Sequence, residues 1–319
     1  MSNIDFINPL HNPLFIPILL RLDLVLLFSF LLIAYLKKFD WDTIVHSSFG
    51  SKYFGWLALA PFYIFGVFFG RIPGMLVLLL FLYLAIAEIS RVAKLPNIYK
   101  YSLFLLSFVS VIVAVYYTQF FYSLPIFYFM LITFVAIRRN DSKTSFHDAS
   151  MTLFYAIWII FGLCHFVLLS HLSDRYDNTK LLLILVIFAV SLSDVGAYVF
   201  GKFFHKIHFL DQYKIADNIS PNKTYIGILG HIIGAFAGIM ILYVGLEKIF
   251  SFQEIIILSI LMGVFGVVGG LTNSMFKRYY EVKDSSKLIP GLGGVLDRID
   301  SLVRVVIVIY YYLLFFSQH

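Results

Sequence analysis

The stretch from residue 181 to residue 200 reads LLLILVIFAVSLSDVGAYVF and contains one charged residue, Asp194. About 20 consecutive apolar residues are long enough to cross the hydrocarbon core of a bilayer as a helix. The apolar residues form a continuous block, whereas the strands of a membrane β-barrel alternate apolar and polar residues. The stretch therefore predicts a transmembrane helix.

Similar apolar blocks recur along the chain, of which 61% is apolar and 13% charged. An ordinary soluble domain carries about 25% charged residues. We therefore expect an all-α, polytopic integral membrane helix bundle of nine to ten transmembrane helices. The first predicted span is diluted by Arg21 and Asp23, and the last span is short. The predicted spans are 16–36, 53–70, 72–89, 101–118, 120–137, 151–171, 181–200, 226–246, 253–273 and 302–316.

Basic residues are concentrated in five loops. Two predicted spans separate each of these loops from the next, so all five are expected to lie on the same side of the membrane. These loops hold 18 of the 24 Lys and Arg residues, and they are 37–52, 91–100, 138–150, 201–225 and 277–300. Because cytoplasmic loops carry the positive excess, this side is expected to be cytoplasmic. No folded soluble region with a basic face is predicted, so a nucleic-acid partner is not expected. A short chain without long soluble tails favours a prokaryotic inner membrane.

Polar clusters occur mainly in the second half of the chain. We therefore divide one continuous membrane domain into N-terminal helices of unassigned role, residues 1–180, and a C-terminal catalytic region, residues 181–319. Glu88 lies at the end of a predicted span, is expected to reach the cytoplasmic interface, and is given no role. The sequence leaves a homodimeric assembly open.

The largest polar cluster runs from Ser274 to Asp300 as SMFKRYYEVKDSSKLIPGLGGVLDRID. Three short carboxylates, Asp284, Asp297 and Asp300, lie close to Gly and Pro residues. Mg²⁺ favours one or two carboxylates together with substrate phosphates, which the nearby Lys and Arg side chains could also hold. Asp297 and Asp300 are three residues apart and would share one face of a helix. Composition alone favours a solvated loop of mixed charge at a membrane face.

Two smaller motifs flank the loop 201–225. Asp194 lies within a span on a small, polar helical face, and such residues are candidates for function, although a helix-end Asp can also reach water. Ser220 and Pro221 are predicted as the N-cap and first residue of the next helix. Free N–H groups there, with Lys223 and Thr224, could seat a phosphate, or the motif could be a plain helix cap.

The stretch from Ser274 to Asp300 resembles the signature of the phosphatidate cytidylyltransferases, also called CDP-diacylglycerol synthases. The signature runs Ser-x-apolar-Lys-Arg-x4-Lys-Asp-x-small-x2-apolar-Pro-x-His-Gly-Gly-apolar-x-Asp-Arg-apolar-Asp. This chain matches every specified position except Leu292, where the family has His. The segments that begin at Asp194 and Ser220 also resemble family motifs, in the same order. The resemblance covers about the C-terminal 130 residues.

The resemblance implies that CTP and phosphatidate give CDP-diacylglycerol and pyrophosphate, with Mg²⁺ as cofactor. Asp284 and Asp297 would be the chief metal ligands, and Asp300 a ligand or a neighbour of the ligands. The implied catalytic residues are Asp284, Asp297, Asp300, Lys283 and Arg298. The implied substrate-binding residues are Asp194, Ser220, Pro221, Lys223, Thr224, Lys277, Arg278, Gly293 and Gly294. The lipid phosphate would attack the α-phosphorus of CTP and, being ionised already, would need no strong general base.

Leu292 is the one departure from the family signature. An apolar side chain cannot accept a proton, bind metal or donate to phosphate. We still expect an active enzyme, because the Asp, Lys and Arg positions are all present. One alternative is a family paralogue that acts on another lipid phosphate or nucleotide. Another is a transporter or lipid-binding membrane protein, which polar residues lining a mid-membrane cavity would favour.

Overall fold

The structure, a computed structural model, describes residues 6–175, 180–204, 214–243, 250–286, 288 and 293–316. Within these ranges the chain is a bundle of long helices. The helices are α1 (Phe15–Leu36), α2 (Trp41–His46), α3 (Ser48–Phe68), α4 (Arg71–Val92), α5 (Asn97–Tyr116), α6 (Leu124–Arg139), α7 (Ser145–Tyr155), α8 (Gly162–Arg175), α9 (Leu181–Phe204), α10 (Tyr225–Leu242), α11 (Phe252–Tyr279) and α12 (Leu296–Phe316). A π-helical segment, Ala156–Phe161, joins α7 and α8 into one membrane-length element.

The predicted membrane helices are confirmed. Each of the ten predicted spans coincides with a helical element, and among the described residues nine such elements are long and apolar enough to cross a membrane. The exception is α3, because its apolar part, Tyr53–Phe68, is shorter than the others. The chain is therefore an all-α integral membrane protein.

Two predicted helix boundaries are wrong at the position that matters most for function. The helix α11 continues to Tyr279, beyond the predicted end at residue 273, so Lys277 lies on a helix and not in a loop. The helix α12 begins at Leu296, before the predicted start at residue 302. Asp297 and Asp300 therefore form part of its first turns. A hydropathy pattern does not include this turn in the span, because Asp297 and Asp300 are charged. The two side chains face α11 instead of lipid.

Four of the five loops predicted to share one side meet at one end of the bundle. The hydroxyl of Tyr99 donates to the carbonyl of Ser145 (3.3 Å), which joins the loops 91–100 and 138–150. Arg278 donates to the carbonyl of Ile219 (3.4 Å), which joins the loops 277–300 and 201–225. Glu88, near the end of α4, accepts hydrogen bonds from the segment between α11 and α12. We call this end of the bundle the site end.

Glycines allow the C-terminal helices to pack with their backbones close together. A Cβ atom on Gly234 of α10 would lie 2.3 Å from the carbonyl oxygen of Leu192 on α9. A Cβ atom on Gly269 of α11 would lie 2.4 Å from the carbonyl oxygen of Asp300 on α12. Small residues at helix contacts are the usual basis of close packing in membranes. This packing brings polar groups from four helices to one place.

Candidate functional site

Asn273 of α11 connects the two carboxylates of α12. Its side-chain Nδ2 donates to Oδ1 of Asp297 (2.9 Å) and to Oδ2 of Asp300 (3.0 Å). Both carboxylates reach the same amide because residues three apart lie on one helical face. Asn273 itself is buried, so this contact lies inside the bundle and not on a solvated loop.

Asp297 has the most hydrogen-bond donors of the carboxylates at the site. Nζ of Lys277 lies 2.7 Å from its Oδ1, and the two side chains are 18% and 6% exposed for Lys277 and Asp297. Its Oδ2 accepts from the backbone N–H groups of Ser285 and Gly294, both at 3.1 Å. A carboxylate is tolerated away from water only when it is paired and hydrogen-bonded in this way. The arrangement fixes the orientation of Asp297.

Gly293 lies between Asp284 and Asp297. Its φ angle is +82°, a conformation that residues with a side chain rarely adopt. A Cβ atom added to Gly293 would lie 2.9 Å from Oδ2 of Asp297 and 3.8 Å from Cβ of Asp284. The two residues that the resemblance implies as metal ligands therefore flank the same glycine. Asp284 is exposed, whereas Asp297 is nearly enclosed.

Lys223 reaches from the start of α10 to the face of α11. Its Nζ lies 3.4 Å from the carbonyl oxygen of Val267 and occupies the space beside Gly270, where a Cβ atom would be only 2.2 Å away. Burial lowers the pKa of the Lys223 ammonium, although the neighbouring carboxylates of Asp300 and Asp194 oppose that shift. Lys223 is therefore a partly desolvated cation close to two acidic side chains.

The polar face of α9 joins the same cluster. Asp194 interacts electrostatically with Lys223, and its Oδ1 lies 3.7 Å from Nδ1 of His231 on α10. The same nitrogen of His231 is 2.9 Å from Oγ of Ser193. His231 is buried, and its contact with Asp194 adds a polar side chain of α10 to the cluster.

The predicted start of the helix after Ser220 is wrong. Helix α10 begins at Tyr225, and Thr224 is its N-cap because the Thr224 side chain accepts from the N–H of Gly227 (3.2 Å). Ser220 and Pro221 instead belong to a turn that precedes the helix, and this turn is closed by antiparallel pairing of Lys214 with Thr224. The backbone pairing holds Thr224 extended and delays the helix by one turn. Thr224 and not Ser220 therefore lies beside the free N–H groups.

Three predicted cationic residues are less closely associated with the carboxylate cluster. Lys283 is exposed, and its side chain forms no hydrogen bond or ion pair with another described residue. Arg278 is exposed and holds the turn at Ile219. Arg298 interacts electrostatically with Asp300, while its Nε is buried without a hydrogen-bond partner among the described residues. Leu292 lies outside the described residues.

The donor set suits a hard divalent cation. In the described part of the chain, no group of three or more His, Cys, Asp or Glu residues could hold a metal ion. Mg²⁺, however, commonly takes one or two carboxylates and completes its shell with water and substrate phosphates. Oδ1 of Asn273 is buried and accepts no hydrogen bond from any described residue, so an oxygen donor without a partner lies beside Asp297 and Asp300. Asp284, near Gly293, adds a carboxylate that water can reach.

Sequence reasoning missed two polar residues of this site. Asn273 directly precedes the motif, and its amide inside an apolar stretch was a signal that could have found it. The sequence assigns Glu88 no role, but Glu88 lies at the site end and is only 3% exposed. Its carboxylate accepts from the N–H groups of Val295 and Leu296, both at 2.9 Å, and so turns inward. The signal that could have identified Glu88 was again a single polar residue within an apolar span.

Comparison with known proteins agrees with the motif resemblance and extends it. A family model described as the cytidylyltransferase family matches residues 51–316, which reaches well beyond the C-terminal 130 residues. The phosphatidate cytidylyltransferase of Staphylococcus haemolyticus is 30% identical over 177 residues, which cover 56% of this chain and 63% of that protein. The phosphatidate cytidylyltransferase of Bacillus subtilis is 32% identical over 189 residues, covering 59% and 66% respectively. The chain thus spans less than two thirds of the length of these relatives.

Proposed function

The chain belongs to the cytidylyltransferase family, and from that premise we propose that it converts CTP and phosphatidate to CDP-diacylglycerol and pyrophosphate. The observation that carries the proposal is the bridge from Asn273 to Asp297 and Asp300, with Lys277 and Lys223 beside it. Alternating carboxylates and ammonium groups at one end of a membrane bundle suit a phosphate-rich nucleotide that meets a lipid phosphate.

The proposed reaction is a displacement at phosphorus. An oxygen of the lipid phosphate forms a bond to the α-phosphorus of CTP, the bond between the α-phosphorus and the bridging oxygen breaks, and its electron pair leaves with pyrophosphate. Such transfers depend mainly on positioning and charge neutralisation. Lys223 and Lys277 would neutralise phosphate oxygens inside the bundle, and the exposed Lys283 and Arg278 would attract the nucleotide from solvent.

Residues near the start of α10 would contribute to nucleotide binding. Thr224 caps that helix, so its first N–H groups and the positive end of its dipole lie next to Lys223. Ser220 and Pro221 would shape the turn before the helix, and Asp194 would orient Lys223. Gly293 would allow phosphate to approach the backbone near Asp297, and Gly294 would contribute through its N–H, which orients Asp297.

Mg²⁺ is proposed as the cofactor. Asp284 and Asp297 would hold it, with Asp300 and Oδ1 of Asn273 as further oxygen donors. When bound, the ion would neutralise charge on the attacking and leaving oxygens. Asn273 would hold the two carboxylates of α12 in place by donating to both, and Lys277 would limit the repulsion between them.

The site end is proposed to face the cytoplasm of a prokaryotic inner membrane, because the basic loops gather there and CTP is cytosolic. The test is thiol labelling of intact cells in a Cys164→Ala background. Asn218→Cys lies at the site end and Gln253→Cys at the opposite end, and both positions are exposed. An impermeant reagent should label only Gln253→Cys until the cells are opened. Labelling of Asn218→Cys in intact cells would contradict the orientation.

Two alternative functions are less well supported. A transporter would place polar residues around a mid-membrane cavity, whereas the cluster described here lies at one end of the bundle. An assay of the purified protein with Mg²⁺ distinguishes the proposed function from that of a paralogue with another substrate. Phosphatidate with CTP should give pyrophosphate faster than any other pairing of a nucleoside triphosphate with a lipid phosphate. A faster reaction with another pair would favour the paralogue.

A further inference from the structure

Glu88 belongs to α4, in the half of the chain that contains none of the recognised motifs. It accepts four hydrogen bonds from the segment that carries the site. Oε1 accepts from the hydroxyl of Ser286 (2.6 Å) and the N–H of Val295 (2.9 Å). Oε2 accepts from the hydroxyl of Ser285 (3.0 Å) and the N–H of Leu296 (2.9 Å). The Glu88 carboxylate therefore binds both ends of the segment 285–296 to α4.

Ser285 links Glu88 to the site. Its hydroxyl lies 3.0 Å from Oε2 of Glu88 and 2.9 Å from Oδ2 of Asp297. Its backbone N–H also donates to Oδ2 of Asp297, at 3.1 Å. A shift of Glu88 would therefore move a residue that directly contacts Asp297. The path from α4 to the proposed metal ligand contains a single intervening side chain.

The second glycine of the Gly-Gly pair makes room for this contact. A Cβ atom on Gly294 would lie 2.0 Å from Oγ of Ser285 and 2.4 Å from Oε2 of Glu88. Glycine at this position is thus required by the Glu88 contact. Glu88 also satisfies N–H groups at the start of α12 and places negative charge at the positive end of its dipole.

We propose that Glu88 is a positioning residue, which acts through Ser285 and the start of α12 to hold Asp297 in its reactive orientation. This inference rests on the proposed cytidylyltransferase function. Glu88 need not touch either substrate, because its four hydrogen bonds all go to the chain itself. It gives the N-terminal helices a role, since one of them fixes the geometry of a site built from C-terminal residues.

The test compares Glu88→Gln with Glu254→Gln. Glutamine keeps the shape of Glu88 but replaces one acceptor oxygen with a donor, so it cannot accept all four hydrogen bonds. Glu254 is a matched control because it also caps a helix, accepting from the N–H of Ser251 (2.7 Å) at the end of α11 opposite the site. We expect Glu88→Gln to lower kcat by about a hundredfold, the effect of a misplacement of about 1 Å. The KM for CTP should change by less than about threefold.

Hydrogen exchange supplies a readout that does not depend on activity. In Glu88→Gln, the amides of Val295 and Leu296 should exchange faster, while the amides of α9 and α10 keep their protection. Unchanged exchange at Val295, or turnover like that of Glu254→Gln, would overturn the proposal. If the unsubstituted protein makes no CDP-diacylglycerol, the proposed function fails, and the exchange comparison alone then tests whether Glu88 positions the segment.

Ser285→Ala provides a second variant in case Glu88→Gln does not fold. It removes only the hydroxyl that connects Glu88 with Asp297. We expect kcat to fall by about tenfold, because the N–H of Ser285 still contacts Asp297. In the double variant with Glu88→Gln, the two losses should be less than additive, since both act through one link. Full turnover in Ser285→Ala, or fully additive losses, would overturn the proposal.

Discussion

Gly270→Ala should lower the activity of the protein by about a hundredfold without destabilising it. The added Cβ atom would lie 2.2 Å from Nζ of Lys223, whereas ordinary contacts begin at 3.4 Å. The ammonium group must therefore retreat by about 1 Å or more, and it can do so because it ends a flexible side chain. A shift of this size at a substrate-positioning group costs about a hundredfold in kcat/KM. That factor corresponds to about 2.7 kcal/mol in the activation free energy.

The stability of the same variant should not fall. Alanine favours a helix interior over glycine by roughly 1 kcal/mol, which offsets the cost of moving one lysine. Gly266→Ala is the matched control, since it lies four residues earlier on α11 and its Cβ atom would meet its nearest neighbours only at 4.0 Å. Turnover of CTP and phosphatidate and the midpoint of thermal unfolding should be measured on both variants.

The two variants are expected to differ in activity only. Gly270→Ala should lose activity and Gly266→Ala should keep it, while both retain the thermal midpoint of the unsubstituted protein. Equal activity in the two variants would refute the placement of Lys223 at the reacting phosphates. Gly270→Ala combined with Lys223→Ala should be no worse than Lys223→Ala alone, because both changes act on the same ammonium group.

Three further substitutions test the remaining parts of the site. Asp284→Asn and Asp297→Asn should each abolish turnover at saturating Mg²⁺ without preventing membrane insertion, and full turnover of either would show that the metal ligands are misassigned. Asp284→Asn should leave thermal stability unchanged because Asp284 is exposed. Leu292→His should change turnover by less than about tenfold, or about 1.4 kcal/mol. A gain of roughly a hundredfold would instead mean that a histidine there acts in proton transfer.

The membrane helices were predictable from sequence because lipid requires long apolar segments with satisfied backbone groups. All ten predicted spans coincide with helical elements. The errors at the end of α11 and the start of α12 occur where polar residues extend a helix beyond its apolar part. Across α11 and α12, Lys277 donates to Asp297 and Asn273 donates to Asp300. These contacts allow the charged residues to lie on helices, and a hydropathy pattern does not include them.

The grouping of the candidate site was only partly predictable. The motifs identified Asp297, Asp300 and Lys223, and the shared face of Asp297 and Asp300 follows from helix geometry. The position of Lys223 beside them depends on how the helices pack. The contribution of Glu88 could not be predicted, because it depends on a contact between residues about 200 positions apart. The role of Thr224 as helix cap was missed because it depends on the pairing of Thr224 with Lys214 at the other end of the turn, which a cap motif does not include. The chemical roles of all these residues remain predictions.

The most direct test of the account follows the phosphorus atoms of CTP. The purified protein is given phosphatidate, Mg²⁺ and CTP labelled with ³²P at either the α- or the γ-position. We expect the α-label to enter the lipid fraction, with the γ-label recovered in pyrophosphate in equal amount. Transfer of the γ-label to lipid, or no labelled lipid from protein that keeps its thermal midpoint, would contradict nucleotidyl transfer at this site.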